Sequence, residues 1–214
     1  MAILKDTWSG FTPEIAKIYL EGYGNPSTRS KVLTASVLKE LFGSTKFRLA
    51  DFGCGNGHLY AFLRGEGLQC EYYGCDFSRS LIAAGRERFA DDDDVHFMEA
   101  DIEDVALEIP RCDVVLYSHV LEMLQSPQKS LIAAKRTAPL VLIRFFEPPV
   151  GQYDVVEVRE LDTGAGQSKG APYLRRTMSA SYYNLLLNEV GCSLVEVHQV
   201  EGDKDQVHVV HFGK

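Results

Sequence analysis

Long apolar runs are missing from this chain. No stretch could cross a bilayer as a helix, and the first ten residues, with Lys5, Asp6 and Trp8 among them, lack the apolar region of a signal peptide. The expectation is a soluble, cytoplasmic protein without membrane contact. Paired cysteines are missing as well. Cys54, Cys70, Cys75, Cys112 and Cys192 are odd in number, scattered, and contain no C-x-x-C pair, which argues against a disulfide framework or a zinc site and leaves reduced, mostly buried thiols. Basic residues are in deficit, with 22 Lys and Arg against 30 Asp and Glu and a net charge of -8. Such a surface repels a phosphate backbone, so nucleic acid is disfavoured and a small molecule is the better partner. The carboxylates of Asp91 to Asp94 are adjacent and cannot all face one ion, so they read as a solvated loop and no metal is expected.

What the sequence does contain is centred on Phe47 to Leu59, Phe-Arg-Leu-Ala-Asp-Phe-Gly-Cys-Gly-Asn-Gly-His-Leu. A short apolar strand breaks at Asp51, meets Gly53, Gly55 and Gly57, and runs at once into a helix. Glycine permits a tight turn and close approach of backbone to a ligand, while the first amides of the helix are free to bind it. A dinucleotide loop would read G-x-G-x-x-G, but here the third glycine arrives one place early and His58 takes the sixth position. Asp51 points the same way, because a carboxylate repels a pyrophosphate and suits a ligand carrying an ammonium and a sulfonium.

Strands and helices alternate along the rest of the chain. Strands are expected at Cys70 to Asp76, Val95 to Met98, Arg111 to Tyr117, Pro139 to Phe146, Ser193 to Val200 and Gln206 to Phe212, with helices at His58 to Arg64, Ser78 to Arg88 and from Ser179 to Gly191. Before the loop, a helix opening near Ser27 or Ser30 carries Val32, Leu33, Val37, Leu38 and Leu41 and ends at Gly43. Two near-identical segments, Ser80 to Arg86 and Ser130 to Arg136, read as crossover helices laid on the sheet. Asp76 ends the second strand close to the roughly 20-residue offset at which a carboxylate reaches ribose hydroxyls in nucleotide-binding folds of this kind. Ser118 and His119 stand at the carboxyl end of the fourth strand, where ligands of open parallel sheets lie, and an imidazole with an ordinary pKa near 6.5 suits proton removal.

The run Asp51-Phe52-Gly53-Cys54-Gly55-Asn56-Gly57 resembles the glycine motif of the class I, seven-strand S-adenosylmethionine-dependent methyltransferases, an acidic residue, any residue, then G-x-G-x-G. The resemblance implies an α/β fold, a doubly wound, mostly parallel seven-stranded sheet with an antiparallel C-terminal hairpin strand and an N-terminal helical cap. It implies S-adenosylmethionine as cofactor, held by Asp51, Gly53, Cys54, Gly55, Asn56 and Gly57, by Asp76 and Phe77 at the ribose, by Asp101 and Ile102 at the adenine, by Ser118, and by Arg29 at the methionyl carboxylate. His119 is the candidate base.

One domain is expected over 1–214: a cap or lid over 1–45, the cofactor half over 46–150, a substrate arm over 151–180, and a closing helix and hairpin over 181–214. Tyr19 and Tyr23 of the cap, with Tyr173, Arg175 and Arg176 of the arm, are candidates to contact a substrate. These arginines, with Arg144, suit an acidic group. The expected activity is methyl transfer to an oxygen, nitrogen or carbon of a small molecule. A cofactor-binding but non-catalytic scaffold, or a protein or RNA substrate, stays open at this point, as does the choice between monomer and homodimer.

Overall fold

The structure, a computed structural model, describes residues 29–161, 171–202 and 204–213. Tyr19 and Tyr23 lie outside the described residues, and Arg29 is described by its backbone alone, as the first residue of helix α1 (Arg29–Phe42). The buried stripe of α1 is Lys31, Thr34, Ala35 and Leu38, a 3.6-residue repeat, together with Val37. Val32 and Leu41, expected inside, are 50% and 37% exposed. Burial, with Arg144 and Arg88, lowers the pKa of Lys31.

Seven strands form one sheet in the order β3-β2-β1-β4-β5-β9-β8. Strands β1 (Phe47–Phe52), β2 (Cys70–Asp76), β3 (Val95–Glu99), β4 (Val114–Ser118) and β5 (Leu140–Phe145) are mutually parallel. Strand β9 (Gln206–Phe212) runs antiparallel to β5, and β8 (Cys192–Gln199) antiparallel to β9. This is the layout expected from the alternating pattern. Helices α2 (His58–Gly65), α3 (Arg79–Arg88) and α4 (Pro127–Thr137) are the crossovers that parallel pairing requires. The two near-identical segments fall in α3 and α4, as anticipated.

The central strands are buried on both faces, which is why they read as continuous apolar runs. On one face Phe52, Val115, Tyr117 and Ile143 pack with Leu131 of α4 and with Tyr183 and Leu186 of α5 (Ala180–Val190). On the other, Leu49, Leu116 and Leu142 pack with Leu38, Leu59 and Leu63. Helix α5 starts and stops where its sequence says. Ser179 Oγ accepts from the Tyr182 amide at 3.0 Å, and Gly191 closes the helix at φ 70°.

The stretch over 151–180 lacks a clean period, yet much of it is regular. Strands β6 (Val155–Leu161) and β7 (Ala171–Thr177) pair antiparallel as a separate two-stranded sheet between β5 and α5. Val155, Val156 and Val158 remain exposed, so no alternation of inside and outside marks the strands in the sequence. Cross-strand pairing makes this hairpin, and β7 lies against the short 3-10 turn Leu121–Met123 that follows β4.

Candidate active site

The glycine loop leaves β1 with Gly53, Gly55 and Gly57 at φ 77°, 57° and 75°, all in the left-handed region. The amides of Gly53 and Cys54 both donate to the Cys75 carbonyl, at 2.7 and 3.0 Å, which ties the loop to the end of β2. A Cβ on Gly53 would lie 2.6 Å from Val120, and one on Gly57 2.6 Å from Phe97. A Cβ on Gly55 would meet nothing within 4 Å. The loop is thus closed against protein at both ends and open at its middle.

Asp76 faces that open point. One carboxylate oxygen accepts from the Gly55 amide at 2.9 Å and the other from the Ser78 amide at 2.8 Å, so the residue is at once an anchor for the loop and a turn before α3. Burial raises its pKa, and the Ser78, Gly55 and Phe77 amides oppose the rise. With three amides on the carboxylate, one of its four lone pairs is left for a hydroxyl donor.

Asp51 lies deeper than a residue at the strand's exposed end would. It is 1% exposed, the Tyr72 hydroxyl donates to its Oδ2 at 2.7 Å, and its Oδ1 is buried without a hydrogen-bond partner among the described residues. Desolvation, with Asp76 close by, pushes its pKa up to about 7. An orphaned carboxylate oxygen behind an open glycine backbone fits a ligand with an ammonium group. The raised pKa also has a stability consequence. The folded protein holds this proton more tightly than the unfolded chain, so the contribution is present at low pH and is lost as pH rises through about 7. Asp51→Asn, which cannot titrate, is expected to gain thermal stability relative to the wild type between pH 5.5 and 8. Parallel melting curves across that range would refute the shift.

The other predicted cofactor residues differ in burial and partners. Cys54 and Asn56 are buried, Phe77 is half-buried, and Ile102 is buried. Burial pushes the Cys54 thiol far above its usual range, so it is an inert neutral group. Asp101 is half-buried and already accepts from the Glu103 amide at 2.9 Å. Ser118 accepts from Arg144 Nη1 at 3.1 Å.

His119 follows β4 with φ 59°, the only non-glycine residue with positive φ among those described. A bulky residue held there is strained and persists only where its surroundings enforce it. Its amide donates to the Arg144 carbonyl at 3.0 Å, and its ring lies 4.4 Å from that of Phe146. Both ring nitrogens are buried without a hydrogen-bond partner among the described residues. Desolvation first, then Arg144 and Arg175, hold its pKa well below 6.5, so the imidazole is neutral at physiological pH.

Arg175 of β7 is buried and stacks on Phe146 at 5.0 Å, whereas arginines on an exposed arm would be solvated. It stands 3.8 Å from Glu122 and 3.7 Å from Glu147. Glu122 is 1% exposed, and burial, only partly offset by Arg175, pushes its pKa to about 7. Tyr173 and Arg176 are half-buried, and Arg176 lies over the Tyr182 ring at 4.8 Å. Asp205 was not among the sequence candidates. A carboxylate inside Val120-Leu121-Glu122-Met123-Leu124 is a readable signal of burial, whereas Asp205 sits in a polar turn with no such mark. Among the described residues no group of three His, Cys, Asp or Glu could hold a metal ion, and no helix is long and apolar enough to cross a membrane.

Comparison with known proteins agrees with this arrangement. Residues 50–138 match the methyltransferase domain family. A demethylmenaquinone methyltransferase of Clavibacter sepedonicus is 32% identical over 107 residues, 48% of this chain and 43% of that protein, so the match spans less than half of the relative's length. The CcbJ methyltransferase of Streptomyces caelestis superposes with a TM-score of 0.71 over 97% of this chain and 98% of that one, at 18% identity. The 1,6-didemethyltoxoflavin-N1-methyltransferase of Burkholderia thailandensis, crystallised with 1,6-didemethyltoxoflavin and S-adenosylhomocysteine, gives a TM-score of 0.64 over 88% and 80% of the two chains, at 16% identity. Taken with the sheet order, the superpositions show that the chain has the fold of these methyltransferases, and residues 50–138 carry the match to the methyltransferase domain.

Proposed function

We propose that the protein transfers a methyl group from S-adenosylmethionine to an oxygen, nitrogen or carbon nucleophile of a small molecule, one carrying an acidic group. The observation that carries this reading is that Val120 packs where a Cβ on Gly53 would lie, which sets the glycine loop beside the strand end bearing His119. The cofactor supplies an electrophilic sulfonium methyl. In this reading the backbone of Gly53 to Gly57 and the buried Asp51 receive the methionyl part, Arg29 its carboxylate, Asp76 and Phe77 the ribose, Asp101 and Ile102 the adenine, with Ser118 at the strand end. His119 takes the acceptor's proton, and Tyr19, Tyr23, Tyr173, Arg175 and Arg176 hold the acceptor. Holding the two reactants in a near-attack geometry supplies on the order of 7 kcal/mol or more without a covalent intermediate.

Calorimetric titration of the purified protein tests the cofactor half: S-adenosylhomocysteine is expected to bind at micromolar affinity and NAD not at all. Absence of binding would favour the scaffold reading. Asp76→Ala is then expected to weaken S-adenosylhomocysteine binding by about tenfold or more, about 1.4 kcal/mol. His119→Ala is expected to leave that affinity nearly unchanged and to lower turnover of an acceptor found by screening by about 10²-fold or more. Equal losses of binding in the two variants would overturn the division of roles.

A further inference from the structure

The candidate base has a neighbour far away in the sequence. Asp205 is the residue before β9, and the register that sets Gln206 against Phe145 brings it to the sheet end occupied by His119. Its Oδ2 lies 3.7 Å from His119 Nε2 and 3.5 Å from an Arg144 guanidinium nitrogen. Both side chains of the His119 and Asp205 pair are largely buried, at 14% and 13% exposure.

We propose that Asp205 is a positioning residue for His119, whose carboxylate selects the imidazole tautomer with its proton on Nε2 and so leaves the Nδ1 lone pair to act as base. This rests on the reading of His119 as the base. A neutral imidazole carries one donor and one acceptor, and the partner of one nitrogen decides the state of the other. At 3.7 Å the Asp205 carboxylate acts on Nε2 through its charge and not through a hydrogen bond, and that charge favours the tautomer whose proton is on the nitrogen it faces. As the acceptor's lone pair forms its bond to the methyl carbon, the C–S electron pair returns to sulfur and the acceptor's O–H or N–H proton passes to Nδ1. The products are methylated acceptor, S-adenosylhomocysteine and an imidazolium, which releases its proton to solvent later. That imidazolium faces Arg144 on β5 and Arg175 on β7, both positive, with Glu122 beyond Arg175. Among the described residues Asp205 is the carboxylate within 4 Å of its ring. Without it, the positive charge formed on His119 would have two arginines as its electrostatic neighbours.

A plainer role, neutralising Arg144 alone, would leave the imidazole indifferent to Asp205. Long-range 1H–15N spectra of the full chain, labelled with 15N-histidine and assigned by loss of signal in His119→Gln, separate the two. The wild type is expected to show His119 predominantly protonated on Nε2, and Asp205→Ala to move at least half of that population to Nδ1. A wild-type His119 protonated on Nδ1, or an Asp205→Ala tautomer ratio equal to that of the wild type, would overturn the proposal. The wild-type spectrum decides by itself should Asp205→Ala fail to fold. Titration with S-adenosylhomocysteine on the same samples keeps the readings apart, since loss of binding in the wild type would remove the methyl-transfer reading and leave the tautomer result standing.

Discussion

Gly53→Ala is expected to destabilise the protein by about 2–5 kcal/mol and to abolish S-adenosylhomocysteine binding with it. Two costs add. An L-residue in the left-handed region costs roughly 1–2 kcal/mol, and Gly53 sits at φ 77°. A Cβ there would also lie 2.6 and 2.8 Å from the two Val120 methyl groups, an overpacking that costs about 1–3 kcal/mol because Val120 is packed against the core. Gly55→Ala is the internal control. Its φ of 57° brings the same backbone strain, but the new Cβ meets no protein atom within 4 Å. Its stability loss is therefore expected near 1–2 kcal/mol, while the methyl group intrudes on the one open point of the loop and reduces ligand affinity well beyond that loss. Urea denaturation and calorimetry on both variants check this. Equal destabilisation of the two, or full affinity in Gly55→Ala, would contradict the geometry.

Arg175→Met is the second large effect, and its size depends on pH. The substitution leaves Glu122, which is 1% exposed, without the cation 3.8 Å away. Breaking a buried ion pair costs about 3–5 kcal/mol, and the lower end applies because 3.8 Å is too long for a hydrogen bond. Glu122 has an alternative to remaining charged, since burial has already brought its pKa to about 7. Loss of Arg175 raises it further, so at pH 6 the carboxyl is protonated and the variant loses little. At pH 8.5 the wild-type pair is ionised, and the variant must either bury a bare carboxylate or take up a proton against the pH. The expected loss is thus about 3 kcal/mol at pH 8.5 and clearly smaller at pH 6, with Arg175→Met/Glu122→Gln restoring most of it. Urea denaturation at the two pH values reads this directly. An equal loss at both would show that Arg175 stabilises through its packing on Phe146 and not through Glu122.

The same pair explains how the hairpin is attached. Strands β6 and β7 expose Val155, Val156 and Val158, and a lone two-stranded sheet has little stability of its own. What holds β7 to the end of β4 is the buried Arg175, stacked on Phe146 and set between Glu122 and Glu147, whose Oε2 accepts from the Thr177 hydroxyl at 2.8 Å. The hairpin and the His119 neighbourhood therefore share their electrostatics, and a change in one is felt in the other.

By itself the sequence determined what local chemistry determines. Three glycines at alternate positions after an apolar strand specify a left-handed loop, because few other residues tolerate those φ values. Apolar runs in the central strands, Ser179 and Gly191 at the ends of α5, and Asp76 at its offset from the loop are likewise local or periodic signals. The doubly wound sheet follows from their order. Only the tertiary structure decided which face of α1 is buried, since Lys31 and Thr34 hold positions that hydrophobicity alone assigns to solvent. Only it showed Asp51 sealed beneath Tyr72, Arg175 drawn inside against Glu122, and Asp205 beside His119. Each of these depends on residues that strand pairing and register bring together from distant parts of the chain, and on burial that changes how strongly their charges act. Neither quantity is written in the spacing of the residues themselves.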